Sequence, residues 1–171
     1  MDDSFRIRPA TEADLPAILD IEHAVFPDPW SLEIFRGLLS KMMTVSESDD
    51  TVTGYLAARH AANMGEILNV AVHLDHRRQG IGWALVEDAL WRFAGDGVGL
   101  VFLEVRESNT AAQKLYEKMG FEAVGIRSGY YREPREDAVV MRITNAQPSM
   151  PIEHPTSNTQ RPTSNGQAPA S

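Results

Sequence analysis

Apolar and polar positions change spacing several times between Phe5 and Thr144, and each change marks an element. FRIRP, residues 5–9, reads as a short first strand. Thr11 with Asp14 gives a capping signal ahead of Leu15, Ile18, Leu19 and Val25, which are spaced for one helix face. After FPDP, Ser31 can cap a second helix carrying Leu32, Phe35, Leu38 and Leu39. KMMTVSE and TVTGYLAARHA read as strands on either side of the turn-prone Ser48-Asp49-Asp50. EILNVAVH follows a loop at Asn63-Met64-Gly65 as a third strand of this group. A helix opened by Gln79-Gly80 continues through Ala84, Leu85, Ala89, Leu90 and Phe93 until GDGVG breaks it. LVFLEVR is then a buried strand with a carboxylate in its midst, SNTAAQKLYEKMGF a capped helix ended by Gly120, and Ala138–Thr144 the closing strand. The strand–helix–strand unit from Glu66 to Arg106 needs a crossover and so a parallel pair. The expected fold is α/β, with a mixed sheet whose first half is mostly antiparallel.

Composition divides the chain in two. Residues 145–171 hold five of the ten prolines and no aromatic residue, too little apolar area to offset the entropy of ordering. They are expected to form a disordered tail behind a single domain at residues 1–144. The tail's Glu153 and Arg161 cancel, so the domain carries the whole net charge of −8, which argues against a partner bound by phosphate neutralisation and so against nucleic acid. No apolar run is long enough to cross a bilayer, and the opening MDDSFRIRPATEADL has no basic or apolar signal region. A cytoplasmic protein without membrane contact is the expectation. The absence of cysteine removes disulfides, thiolate metal sites and covalent cysteine intermediates, and the scattered histidines, His73 and His76 included, suggest no metal site.

The segment HRRQGIGWALVEDAL, residues 76–90, places two arginines and two glycines where a helix begins. Glycine is costly there. A helix N-terminus offers unpaired N–H groups and partial positive charge to an anion, and Gly80 and Gly82 leave the backbone open to it while Arg77 and Arg78 add charge. A bland strand-to-helix turn with solvated arginines accounts for the same residues. A Walker A loop would need Lys and Ser/Thr after Gly82, where Trp83 and Ala84 stand. A dinucleotide fingerprint would need a small residue at Leu85, and Glu104 lies inside its strand rather than at the end.

Arg77-x-x-Gly80-x-Gly82, after a strand and opening a helix, resembles the pyrophosphate loop of the GNAT superfamily of N-acetyltransferases. LEVRESNTAAQKLYEKMGF resembles the second half of that fold. Pro29-Trp30, ILNVAVH, LEVRESN, Tyr130-Tyr131 and Glu136–Met141 resemble more narrowly the bacterial enzymes that acetylate the N-terminal alanine of a small-subunit ribosomal protein. The likeness spans about residues 5–143 and implies a mixed, mostly antiparallel sheet of about seven strands flanked by about four helices. It implies acetyl-coenzyme A as co-substrate, with no metal. The pyrophosphate would meet Arg77, Arg78, Gln79, Gly80, Ile81, Gly82 and Trp83, the pantetheine arm would lie along Val70, Ala71 and Val72, and Asn109 would reach the cofactor as well as cap its helix.

Acetyl transfer to an amine needs a base, a polarised thioester and a proton for the departing thiolate. An α-amine of pKa about 8 is only about one-tenth neutral at pH 7. The resemblance makes Glu104 the general base; read from the strand alone, Glu104 could equally be a salt-bridge partner of Arg106 on the same face. It makes Tyr116 the general acid, where an aromatic packed beneath the sheet is the plain alternative. Backbone N–H groups of residues 70–72 would stabilise the developing oxyanion, and without cysteine direct transfer in a ternary complex is expected. Trp30, Tyr130 and Tyr131 are the expected acceptor contacts, with Glu133, Glu136 and Asp137 available to a basic peptide N-terminus. A lysine or small-molecule acetyltransferase, or a module that only binds acetyl-coenzyme A, are the alternatives. Trp83, where relatives often carry a small or basic residue, and the long FPDPW segment depart from the pattern and bear on the acceptor most.

Overall fold

The computed structural model describes residues 4–144 and 157–159. The chain runs β1 (Phe5–Pro9), α1 (Leu15–Val25), α2 (Leu32–Leu38), β2 (Met42–Ser48), β3 (Thr51–Ala61), β4 (Met64–Val72), α3 (Ile81–Gly95), β5 (Leu100–Arg106), α4 (Thr110–Met119), β6 (Glu122–Arg132), β7 (Arg135–Thr144) and β8 (Ser157–Thr159). Single 3₁₀ turns stand at Glu12–Asp14 and Leu74–His76. The starts of the helices follow their side chains. The Asp14 carboxylate accepts from the N–H and hydroxyl of Thr11 ahead of α1, and the Ser31 hydroxyl accepts from Ile34 N–H at the start of α2. Gly120, at φ 107°, ends α4 in the left-handed region.

All strands join one sheet in the order β6-β7-β5-β4-β3-β2-β1-β8. Among the described residues only β4–β5 and β1–β8 are parallel. The mixed α/β sheet with an antiparallel first half is therefore present; α3 crosses between the parallel neighbours β4 and β5, and α4 carries the chain from β5 past β7 to β6. Two cores cover its two faces. Ile81, Ala84, Leu85, Ala89 and Phe93 of α3, with Tyr116 and Met119 of α4, pack on one face. Leu15, Ile18 and Ile21 of α1, with Phe35 of α2, pack on the other against Val45, Tyr55 and Ala71.

Three segments differ from the sequence expectation. Asn63-Met64-Gly65 is not all loop: β4 begins at Met64, which pairs with Ala61 on one side and Leu100 on the other. Gly65 is needed there, because a Cβ would stand 3.0 Å from two carbons of the Phe93 ring. The second difference is β6, which the hydrophobic pattern hides because nearly all its residues are exposed; pairing with β7, not a buried face, holds it. The third lies within the expected tail, where Ser157–Thr159 pair parallel with Phe5–Ile7 and give the sheet eight strands among the described residues. The outer edge of β1 presents main-chain donors and acceptors, and a ladder on them needs no apolar side chain, so composition does not report it. Residues 145–156 and 160–171 of the expected tail lie outside the described residues.

Candidate active site

Strands β4 and β5 start as neighbours and then part. Their ladder runs from Met64↔Leu100 to Ile67↔Leu103 and stops, although β4 continues to Val72 and β5 to Arg106. The cause lies on the other side of β4, where the β3 register shifts between Ala57 and Ala58, so that Asn69 faces Ala57 while Ile67 faces Ala58. One extra residue at Leu68 bends β4 away from β5. Backbone groups of residues 68–72 on that side are therefore not used by β5, while their β3 side stays paired through Gly54↔Val72, Tyr55↔Ala71 and Leu56↔Val70. This is the cleft beside which Val70, Ala71 and Val72 were expected to hold an extended ligand.

At the end of β4 the chain turns through Leu74–His76, with the His73 and His76 rings edge to face at 5.7 Å, and enters α3. Arg78 and Gly80 take positive φ, 65° and 81°. Gly80 carbonyl accepts from Ala84 N–H, the first bond of the helix, so the N–H groups of Gly80, Ile81, Gly82 and Trp83 have no intrahelical acceptor. At Gly82 an added Cβ would meet only Val72 Cγ2, at 3.9 Å, so nothing in the packing demands glycine there. The bare backbone leaves these amides open to a ligand. Arg77 and Arg78 are exposed, and neither forms an ion pair among the described residues. The Trp83 indole lies along its own helix and donates to Glu87 at 3.4 Å. These residues fit an extended ligand ending in phosphates, as acetyl-coenzyme A does.

Glu104 and Tyr116 stand on opposite faces of the sheet. Val101, Leu103 and Val105 point into the α3 core, which turns Phe102, Glu104 and Arg106 to the other face. The Glu104 carboxyl is pushed up from the usual carboxylate range, first by burial and then by Glu66 on β4; Arg127 and Arg59 oppose the shift. Its ion-pair partner is Arg127 of β6, at 3.3 Å. The expected alternative, a Glu104–Arg106 pair, is not formed. Arg106 instead bonds Glu136 at 3.1 Å and the carbonyls of Glu133 and Pro134, and lies 4.2 Å from the centre of the Tyr131 ring. Tyr116 is half-buried against the α3 core with its ring 5.8 Å from Phe121, and burial pushes its phenol up to about 12. It is therefore fully protonated at neutral pH.

Burial chiefly raises the phenol of Tyr131, and the Glu104 carboxylate adds to the rise. Tyr130 meets Tyr131 edge to face at 5.0 Å and lies 5.8 Å from the Arg127 guanidinium. Trp30 stands on the same α1/α2 face as Glu104, its ring 5.6 Å from Phe35. Asn109 caps α4 by accepting from Ala112 N–H at 3.1 Å, so its amide NH₂ is the group left for a ligand. Two of the acidic groups expected to meet a basic peptide are used internally: Glu136 by Arg106 and Ser108 N–H, Asp137 by Gly129 N–H.

Sequence reasoning missed Glu66, Arg59 and Arg127, which set the charge around Glu104. It also missed Glu22, a carboxylate only 1% exposed. A signal for Glu22 was present: with Leu15 and Ile18 it occupies the core-facing positions of α1, where a charge must have partners.

The geometry agrees with what the chain resembles. Escherichia coli K12 [ribosomal protein bS18]-alanine N-acetyltransferase is 34% identical over 137 residues, covering 76% of this chain and 90% of that protein. The Haemophilus ducreyi enzyme of the same name is 30% identical over 142 residues, covering 80% and 98%. The crystal structure of the Escherichia coli ribosomal-protein-S18-alanine N-acetyltransferase superposes with a TM-score of 0.77 at 32% identity, over 87% of this chain and 97% of that one. Residues 15–121, from the first turn of α1 to the end of the Tyr116 helix, match the acetyltransferase (GNAT) family. With the parted strands, the open helix start and these relatives in agreement, the chain is a member of the acetyltransferase (GNAT) family.

Proposed function

We propose that this chain transfers acetyl from acetyl-coenzyme A to the N-terminal α-amine of a protein, the alanine of small-subunit ribosomal protein bS18, by direct transfer in a cytoplasmic ternary complex. The observation that carries the reading is the parting of β4 and β5 between the free amides of α3 and the carboxylate of Glu104. The relatives named for bS18 alanine support the choice of acceptor.

Each residue then has a task. The amides of Gly80, Ile81, Gly82 and Trp83, with Arg77, Arg78 and Gln79 beside them, receive the pyrophosphate. Main-chain groups of Val70, Ala71 and Val72 hold the pantetheine arm and polarise the acetyl carbonyl. Glu104, with its proton affinity raised by burial, accepts the proton of the α-amine as the C–N bond forms. Tyr116 gives its proton to sulfur as the C–S bond breaks. Trp30, Tyr130 and Tyr131 contact the acceptor, and the carboxylates of Glu104 and Glu66 favour an incoming cation, in keeping with a basic N-terminus.

The deciding assay incubates the enzyme and acetyl-coenzyme A with a peptide that begins with a free alanine and also holds lysine. Fragment mass spectra are expected to place the acetyl group on the α-amine. Acetyl on lysine alone, or on small amines only, overturns the acceptor assignment.

A further inference from the structure

One buried carboxylate ties the acceptor side of the cleft to the bulged strand, and the catalytic scheme above gives it no task. Glu22 on α1 is 1% exposed. Its Oε2 accepts from the main-chain N–H of Trp30 at 2.9 Å. Its Oε1 accepts from the Tyr55 hydroxyl and from Asn69 Nδ2, the latter at 2.9 Å. Asn69 also donates to the Tyr55 oxygen at 3.0 Å. Burial, and then the Glu22 charge, push the Tyr55 phenol well above its usual range, so it stays a donor.

Each partner occupies a consequential place. Trp30 closes the segment between α1 and α2, residues 26–31, which has no ladder of its own. Asn69 follows the extra residue at Leu68, just beyond the end of the β5 ladder, and directly precedes the 70–72 segment. The Trp30 ring leans on Phe35, and Phe35 meets Tyr55 edge to face at 5.4 Å, so the apolar contacts follow the same path as the polar ones. A charge placed at a core position costs several kcal/mol unless every lone pair is answered, which makes a purely packing role a poor use of it. An apolar residue would fill the space but could not hold the Trp30 amide.

We propose that Glu22 is a positioning residue that fixes the Trp30 segment against the bend of β4 and so sets the acceptor side of the cleft. The inference rests on the acetyl-transfer reading for its kinetic consequence, though not for the geometry. Glu22→Gln is the decisive change. The amide can keep an oxygen toward Tyr55 and Asn69 only by turning its NH₂ on the Trp30 N–H, donor against donor. Turned the other way, it leaves Asn69 and Tyr55 without their acceptor.

The full-length enzyme is measured in two ways. In steady-state kinetics, Glu22→Gln is expected to raise the KM of an alanine-initiated peptide by about tenfold, with the KM of acetyl-coenzyme A changed less than about twofold. Val45→Ala, a change in the same core without polar contacts, is the stability control and is expected to leave the peptide KM as it was. In hydrogen exchange, residues 26–31 should lose protection in Glu22→Gln while β5 and α3 keep theirs. Where Gln prevents folding, Glu22→Asp keeps the charge at a shorter reach and should show the same split at smaller size. Equal rises in both KM values, a peptide KM unchanged in a folded Glu22 variant, or unchanged exchange at residues 26–31 each overturn the proposal. A wild-type enzyme without acetyl transfer would defeat the functional reading instead, and the exchange measurement still decides the positioning role.

Discussion

Gly82→Ala separates the stability of the fold from the binding of its cofactor. Gly82 lies in the first turn of α3 with ordinary helical φ, so alanine adopts its backbone without strain. The new methyl would touch only Val72 Cγ2 at 3.9 Å, an ordinary contact. Relative to glycine in a helix, alanine then stabilises the free enzyme by about 0.5–1 kcal/mol. For a chain of this size that is a rise in Tm of about 1–4 °C. The same methyl stands among the N-terminal amides that are proposed to receive the pyrophosphate. Loss of one amide–phosphate contact is worth about 1.5–3 kcal/mol, or roughly tenfold to a hundredfold in Kd. With acetyl-coenzyme A at about 100 times the wild-type Kd, wild type gains about 2.7 kcal/mol from binding and a tenfold weaker variant about 1.4. The two effects nearly cancel, so the variant should melt higher alone and level with, or below, wild type when the cofactor is added. Thermal unfolding with and without acetyl-coenzyme A, together with calorimetric Kd, tests both halves. A Gly82→Ala enzyme with unchanged Kd refutes the phosphate role of the helix start, and a lower Tm without cofactor refutes the packing argument.

Four further outcomes are expected. Gly54→Ala should destabilise the domain by about 1–3 kcal/mol in denaturant titration, because its Cβ would fall 2.9 Å from the Ala71 carbonyl oxygen within the ladder. Glu104→Gln should lower kcat by about 10²–10⁴ while the Kd of acetyl-coenzyme A holds; an unchanged kcat removes Glu104 as base. Arg127→Ala deletes the cation that opposes the raised Glu104 pKa, so the acid side of the kcat/KM profile should move to higher pH, and no movement refutes that pairing. Arg8→Ala bears on acid stability. Arg8 holds Asp14 and Glu47 below their usual range, so its contribution is present above about pH 4 and fades as pH falls through their lowered pKa values. Wild-type and Arg8→Ala unfolding curves should differ at pH 7 and converge near pH 2; a constant difference counts against the linkage.

The elements that bury a face were legible because burial writes a period into the sequence. Leu15, Ile18 and Ile21 mark α1, and the run from Ile81 to Phe93 marks α3. β6 was not legible, because its residues are exposed and only the ladder with β7 defines it. The bulge at Leu68 leaves no mark either, since it is a relation between two strands and not a property of one. The candidate site divides in the same way. Gly80 and Gly82 could be read because glycine at a helix start is costly and calls for a reason, and Glu104 because it interrupts Val101, Leu103 and Val105. Arg106, two residues on, suggested a partner by spacing, but strand neighbours on one face compete with groups from elsewhere, and the β6–β7 turn won it. Arg127 could not be assigned to Glu104 without knowing that β6 pairs beside β7 and β7 beside β5.

The two raised proton affinities act in complementary directions. Burial draws Glu104 upward, which under the proposed mechanism narrows its gap to the α-amine, roughly 4 pK units for an ordinary carboxyl and an amine of pKa about 8. Arg127, in an ion pair with Glu104 at 3.3 Å, opposes that rise. For Tyr116 the direction is reversed. A phenol at about 12 lies about 3.5 pK units above an ordinary thiol, so protonating a solvated thiolate would cost roughly 4.8 kcal/mol. Under the proposed mechanism the cleft would desolvate the departing thiolate as well, raise its proton affinity, and so narrow the gap as the C–S bond breaks. Glu104 therefore sits beside charges that tune it, and Tyr116 sits against the apolar α3 core, where burial alone sets its affinity. The two faces of the sheet thus give Glu104 and Tyr116 the different environments that the proposed base and acid roles require.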